Sequence, residues 1–225
     1  MVISDEKHEP TLVWMRAPQQ ARSQATLDRL LDAAEALLDE GSFDQLSVQA
    51  ICKRAASSVG AFYTRFADKV ALLHVLHERL CEEAKNTARI SLQPELWDGV
   101  PAAQIIDVMV RFVVTEYAQR RGLRKELVRR NGIDPAFRAR SIDVAADTVG
   151  RLSVLLAQRL PELGAGHDPL KAAEMCNRLM FGVLDQHAVY ADTGPAGIVV
   201  AEADLIDAIS LALVSYLRAT PVRRS

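Results

Sequence analysis

Apolar residues recur at three- and four-residue steps along most of this chain, a spacing that places them on one face of a helix. The clearest run comprises Leu27, Leu30, Leu31, Ala34, Leu37 and Leu38. No segment alternates between apolar and polar residues over a useful length, apart from a short stretch at 198–201. The pattern therefore predicts an all-α chain.

Capping residues divide the first third of this pattern into four helices. Ser47, Ser58 and Asp68 are candidates for N-caps, because their side-chain oxygens can accept from the free N–H groups of a first turn. Gly41 lies where a C-terminal glycine is expected. The predicted helices cover about 23–40, 47–54, 58–64 and 68–90.

Prolines and glycines divide the remaining two thirds. Pro101 suits the first turn of a helix, whereas Pro161 and Gly164 are expected to end one. The predicted helices cover about 101–119, 122–131, 135–160, 168–192 and 203–217. Residues 1–21 mix charge and proline without periodicity, which predicts a flexible arm.

The composition is that of a globular protein without excess positive charge. Hydrophobic residues make up 49% of the chain, charged residues 25%, and the formal net charge is -2. Binding to nucleic acid would therefore need a local patch of cations. The opening MVISDEKHEP lacks the apolar core of a secretory signal, and apolar runs break well before the roughly 18 residues of a membrane span. We expect a cytoplasmic protein with no membrane segment.

A compact cationic and aromatic patch occupies residues 51–69, ICKRAASSVGAFYTRFADK. It places Gly60 inside a predicted helix, where glycine costs about 1 kcal/mol relative to alanine. Two short helices between longer ones form a helix-turn-helix pattern, whose second short helix enters the DNA major groove. A missing side chain at Gly60 would let the backbone approach DNA closely. A solvated loop with ordinary surface charges is the alternative.

The segment TLDRLLDAAEALLDEGSFDQLSVQAICKRAASSVGAFYTRFADKVALL closely resembles the N-terminal signature of the TetR family of bacterial transcription regulators. The resemblance implies a helix-turn-helix DNA-binding domain at 22–67 and a helical ligand-binding and dimerisation domain at 68–220. This chain departs from the family pattern at Cys52, Ala56 and Ser57. If the turn needs a positive φ, Ala56 is strained there by about 1 kcal/mol or more.

The resemblance also implies which residues contact DNA. Phosphate contacts are expected from Ser47, Ser58, Tyr63 and Lys69. The residues expected to face the groove are Val59, Gly60, Ala61, Thr64 and Arg65. The side chains of Ala55, Phe62 and Phe66 are expected to point into the core. Arg22 and Arg54 are further candidates, although Arg54 can equally be an exposed helix cation.

In the C-terminal domain, the resemblance implies a small-molecule effector that releases a dimeric repressor from a palindromic operator. The last two helices are apolar on several sides, which favours a homodimer over burial in one subunit. The predicted cavity residues, each of which could instead be core or surface, are Trp97, Met109, Phe112, Tyr117, Met175, Asn177, Arg178, Phe181 and His187.

Other functions have less support in the sequence. His74, His77 and Cys81 lie on one face of the fourth helix, but three ligands on a single helix rarely converge on zinc, and Cys52, Cys81 and Cys176 show no CxxC spacing. No catalytic triad, phosphate loop or paired-carboxylate motif is evident, so we expect no enzyme and no cofactor. A helical interaction module that has lost operator binding remains open, as does an all-α enzyme.

Overall fold

The structure, a computed structural model, describes residues 21–163, 166–190 and 197–219, with residues 21 and 22 described by their backbone alone. Within these ranges it contains helices and connecting segments but no strand. The helices are α1 (Ala21–Glu40), α2 (Val48–Arg54), α3 (Val59–Tyr63), α4 (Lys69–Ser91), α5 (Ala102–Gln119), α6 (Arg121–Ile133), α7 (Pro135–Leu163), α8 (Pro169–Tyr190) and α9 (Glu202–Arg218). A short 3-10 helix, Pro94–Trp97, precedes α5.

The predicted caps of the first domain are confirmed. Ser47 Oγ accepts from the Ala50 amide at 3.1 Å, and Ser58 Oγ accepts from the Ala61 amide at 3.0 Å. The Asp68 carboxylate accepts from two amides at the start of α4, each at 2.8 Å. These bonds satisfy first-turn donors that have no partner within their own helix.

The chain divides into two compact units, one ending at Arg79 and the other beginning at Leu80, inside α4. The first half of α4 is grouped with the N-terminal unit, whereas the predicted division after residue 67 assigns all of α4 to the C-terminal domain. The Arg79 guanidinium contacts Asp32 at 2.8 Å and Glu35 at 2.7 Å on α1, and these carboxylates raise the pKa of Arg79 despite its partial burial. Such long-range pairs tie the start of α4 to α1.

The N-terminal unit has its own apolar core. Leu30, Ile51, Phe62 and Phe66 are fully buried or nearly so, together with Ala55. The predicted inward direction of Ala55, Phe62 and Phe66 is confirmed. The C-terminal unit holds a larger apolar cluster that draws on α5, α7, α8 and α9, and a smaller one that includes Ala88, Leu92, Ile105 and Leu155.

Several sequence-based boundaries are corrected. Pro161 lies inside α7, which ends only at Leu163, since a proline near a helix terminus removes a single backbone hydrogen bond. Gly41 follows α1 without a positive φ, so the glycine is not required by a left-handed cap. The segment 198–201 has no regular secondary structure and pairs with no strand in the described part of the chain. The predicted arm at 1–21 lies outside the described residues except for Ala21, which begins α1, and the predicted stop at Gly164 also lies outside them.

No helix in the described ranges is both long and apolar enough to cross a membrane.

Candidate functional site

The turn that joins α2 to α3 is strained at one residue. Ala56 has φ 46°, the left-handed region, and no other non-glycine residue of the described chain has a positive φ. The turn is closed by two bonds to the end of α2, from the Ser57 amide to the Cys52 carbonyl at 2.9 Å and from the Ala56 amide to the Lys53 carbonyl at 3.3 Å. This is the Schellman pattern, which prefers glycine at the position of Ala56 and an apolar residue at that of Ser57.

We expect Ala56→Gly to raise the free energy of unfolding of the N-terminal unit by about 1 kcal/mol, because it relieves the left-handed strain. Urea denaturation followed by circular dichroism measures the change. Ala55→Gly serves as the control, since Ala55 has φ -78° and gains nothing from glycine. A stability equal to or below that of the parent chain would contradict the strain.

The surface around α3 carries most of the predicted DNA contacts. Ser47 and Ser58 are exposed. Each hydroxyl oxygen accepts from a helix amide, so the hydroxyl proton remains available to donate. Val59 and Tyr63 are 39% and 52% exposed, and Ala61 is half-buried. The exposed Thr64 donates its hydroxyl proton to the carbonyls of Gly60 at 3.0 Å and Ala61 at 2.9 Å.

Gly60 has no internal reason to be glycine. A Cβ built there meets only Ser58 Oγ, at an ordinary 3.8 Å, and the backbone is not in the left-handed region. Neither packing nor conformation within this unit therefore demands the missing side chain. The fold would accept a side chain at Gly60, and its absence weakens the helix by about 1 kcal/mol.

Two predicted DNA contacts are instead committed inside the N-terminal unit. The Lys69 ammonium donates to the carbonyls of Phe43 at 2.9 Å, Leu46 at 3.1 Å and Asp44 at 3.3 Å, and lies 4.7 Å from the centre of the Phe43 ring. All three of its protons are thereby used in the loop between α1 and α2. The predicted phosphate contact of Lys69 would have to replace at least one of these bonds and stays a prediction.

Arg65 is held in a similar way. Its guanidinium donates to the Ala61 carbonyl at 2.8 Å and to Ser23 Oγ at 2.8 Å, and its Nε is buried without a hydrogen-bond partner. The side chain thus ties α3 to the start of α1 in the structure without DNA, and its contact with the groove stays a prediction. Residue spacing carries no signal for either role, because the partners of Lys69 and the Ser23 partner of Arg65 lie 23 to 42 residues away.

The two further arginine candidates differ. Arg54 is exposed and pairs with Glu40 of α1 at 2.6 Å, in agreement with the alternative of an exposed helix cation. An exposed pair of this kind contributes at most about 1 kcal/mol, so the guanidinium can exchange partners easily. The side chain of Arg22 lies outside the described residues.

The predicted ligand residues do not line one cavity. Trp97 and Met109 pack on the smaller cluster of the C-terminal unit, and the Trp97 indole donates to the Ser91 carbonyl at 2.7 Å. Phe112, Met175 and Arg178 are exposed, in agreement with the alternative that they are surface residues. Asn177 and His187 lie on α8, outside the buried core of that helix. An open groove in this unit, of about 400 Å³, is lined by Ala146, Val149, Leu170, Lys171 and Glu174, none of them predicted.

Tyr117 and Phe181 do come together, in a polar cluster that the sequence did not indicate. The buried Tyr117 hydroxyl donates to Asp185 at 2.8 Å, its ring lies 5.8 Å from that of Phe181, and the Arg124 guanidinium lies 4.4 Å over it. Burial raises the pKa of both Tyr117 and Asp185 above their ordinary values. Arg124 Nε is buried without a hydrogen-bond partner.

The histidine and cysteine face of α4 is buried. His74, His77 and Cys81 are all less than a tenth exposed, and burial raises the pKa of the Cys81 thiol to about 11. The thiolate that zinc needs is therefore disfavoured. No group of three or more histidine, cysteine or acidic side chains in the described ranges is arranged to hold a metal.

Comparison with known proteins agrees with the helix-turn-helix geometry. Residues 30–76 match the model of bacterial regulatory proteins of the tetR family. The chain carries the N-terminal domain of the TetR family. It is also 30% identical over 96 residues to the HTH-type transcriptional regulator UidR of Escherichia coli K12, an alignment that covers 43% of this chain and only 45% of UidR.

Solved structures of TetR-type regulators share the whole fold. A TetR-family transcriptional regulator from Mesorhizobium loti has a TM-score of 0.67 at 17% identity, covering 88% of this chain and 97% of that one. The regulator FadR of Bacillus subtilis, in complex with stearoyl-CoA, has a TM-score of 0.59 at 16% identity, covering 85% and 97%. This chain therefore has the fold of these regulators, an N-terminal helix-turn-helix domain followed by a helical C-terminal domain.

Proposed function

We propose that this protein is a ligand-responsive transcription regulator that binds double-stranded DNA through the surface around α3. The observation that carries the proposal is Gly60, a helix glycine with open space around it and no internal cause. Hydroxyl groups of Ser47, Ser58 and Tyr63 lie on or beside the two short helices, and they suit phosphate oxygens. Val59, Ala61 and the Thr64 methyl group suit thymine methyls in the major groove.

In-vitro selection from a random duplex library tests this function. We expect an enriched palindromic sequence, whose affinity falls steeply as salt rises because bound counterions are released. Indifference to every duplex in dilute buffer would overturn it. Repression, as opposed to activation, is then decided by a reporter placed downstream of the selected sequence.

Lys69 and Arg65 act in this proposal as positioning residues that do not touch DNA: Lys69 holds the loop between α1 and α2, and Arg65 ties α3 to α1. We expect Lys69→Met to destabilise the N-terminal unit by about 1.5–3 kcal/mol, since it removes hydrogen bonds from a charged donor. DNA affinity should fall at every salt concentration, while the slope of log K against log salt stays that of the parent chain.

The exposed Lys53 of α2 supplies the control, because Lys53→Met removes the same charge without breaking the contacts of the loop. If the slope of log K against log salt becomes shallower by about 0.9 in Lys69→Met but not in Lys53→Met, Lys69 contacts a phosphate directly. The pair of variants therefore separates positioning from charge.

The effector is proposed to act in the C-terminal unit. Support comes from FadR, which holds stearoyl-CoA in a chain of the same fold, and from the Tyr117, Arg124 and Asp185 cluster, where a buried donor has no partner. Because α4 is one continuous helix from Lys69 to Ser91, it belongs to both units and can transmit a shift in population between two states. We expect at least one compound in a panel of acyl-CoA thioesters and small aromatic acids to release the protein from the selected DNA.

A homodimer is proposed through α8 and α9. Met175, Leu179 and Val183 form an exposed apolar row at steps of four on α8, and Leu211 is 69% exposed on α9. Covering these side chains would stabilise association. Two-fold symmetry would also present two α3 helices to a palindrome. Sedimentation of the full chain at micromolar concentration should give a dimer, and a monomer would count against this arrangement.

A further inference from the structure

Positive charge is concentrated in one short part of the C-terminal unit. Residues 120–140 contain eight arginines and lysines against two acids, an excess of six, whereas the chain carries -2 and its remaining residues therefore -8. The cations are Arg120, Arg121, Arg124, Lys125, Arg129, Arg130, Arg138 and Arg140. Most of them belong to α6, which follows directly after α5.

Three of these cations form a row on the outer side of α6. Arg121, Lys125 and Arg129 follow one another at steps of four, each step rising about 6 Å along the axis. Lys125 and Arg129 are exposed and Arg121 is half-exposed, while α6 buries Leu123, Glu126 and Leu127. We call Arg121, Lys125 and Arg129 the α6 basic row.

Carboxylates and carbonyls fix the positions of several of these charges. The buried Glu126 carboxylate accepts from Arg129 at 2.8 Å and from Arg130 at 2.7 Å, so one negative charge holds two positive ones. Arg120 contacts Glu83 at 2.6 Å, and Arg138 donates to the Asn131 and Gly132 carbonyls at the end of α6. Within residues 120–140 the eight cations still exceed the two acids by six.

Folding alone does not favour such a row. Like charges at i and i+4 destabilise a helix by about 0.2–0.5 kcal/mol per pair, and the row contains two such pairs. Arg121 also lies in the first turn, where the helix dipole disfavours a cation. An anionic partner that spans the row would relieve both effects.

We propose that the α6 basic row binds phosphates of double-stranded DNA, as a second contact in addition to the helix-turn-helix. This inference rests on the proposed function. A duplex presents a continuous line of negative charge, which suits a row of cations better than a single anion would. A duplex held by one domain is also at high effective concentration for the other domain of the same chain.

The test compares two triple variants of the full chain on a mixed-sequence duplex and on the selected operator. In Arg121→Gln/Lys125→Gln/Arg129→Gln, Glu126 keeps Arg130 as its partner. The control, Arg89→Gln/Arg111→Gln/Arg151→Gln, removes the same charge from scattered positions on α4, α5 and α7. Thermal melting and sedimentation verify that both variants keep the fold and assembly of the parent.

We expect the α6 variant, and not the control, to bind both duplexes more weakly, with a salt slope shallower by about 0.9 for each phosphate that is no longer neutralised. Equal slopes in the two variants would overturn the second contact while leaving the helix-turn-helix proposal standing. If the parent itself binds no duplex, the proposed function fails first. Loss of binding to anionic phospholipid vesicles with an unchanged DNA slope would assign the row to a membrane surface and overturn the proposal.

Discussion

Gly60→Leu is expected to lower affinity for the selected operator by about a hundredfold or more, because a side chain there separates α3 from the groove and removes contacts worth about 1–3 kcal/mol each. The fold should remain intact, since a Cβ at this position meets nothing closer than 3.8 Å. Leucine should even raise the helix stability by about 1 kcal/mol relative to glycine. Affinity is measured by fluorescence anisotropy and stability by urea denaturation.

Gly150→Ala supplies the control, because Gly150 also lies in a helix with nothing near its missing Cβ, but in α7. It should gain helix stability and keep its DNA affinity. If stability rises in both variants but DNA affinity falls only in Gly60→Leu, the close approach of the backbone to DNA lies at Gly60. Full affinity in Gly60→Leu would remove the main support for the proposed DNA contact.

Phe62→Ala is expected to destabilise the N-terminal unit by about 3–5 kcal/mol, the range for removing a fully buried aromatic ring. Phe62 has no exposed surface, and its ring lies 5.1 Å from that of Phe66 and 5.4 Å from that of Tyr63. A domain of this size is stable by only about 5–15 kcal/mol, so most of its stability would disappear. DNA binding should disappear together with the fold.

Tyr63→Phe separates packing from contact beside this site. It keeps the ring against Phe62 but removes the exposed hydroxyl, so stability should stay constant while DNA affinity falls. Chemical denaturation of both variants, monitored by circular dichroism, makes the comparison.

A loss of stability below about 1 kcal/mol in Phe62→Ala would mean that the ring is not the centre of the small core.

Local rules allowed much of the fold to be predicted. Ser47, Ser58 and Asp68 cap the helices that their positions indicated, since a cap depends on amides two or three residues away. The suspected strain at Ala56 is also confirmed by its φ of 46°. At Pro161 the local rule failed, because α7 continues through the proline for two more residues.

The candidate site was predictable only in part. Exposed Ser58, Val59 and Tyr63 follow from the period of α3, whereas Phe112 and Met175, which the sequence left open as cavity, core or surface residues, are exposed. An apolar residue on a helix that is apolar on several sides can face either the core or a partner. Its spacing does not distinguish the two.

By itself the sequence determined the all-α class, the two short helices and the glycine within the second of them, because each depends on residues within one or two turns. Only the tertiary structure decided what the cations do. Lys69 meets the carbonyls of Phe43 and Leu46, and Arg65 meets Ser23, across separations of 23 to 42 residues. A long charged side chain bonds to the acceptors that the packed helices bring within its reach. Because these acceptors are distant in sequence, periodicity does not predict them.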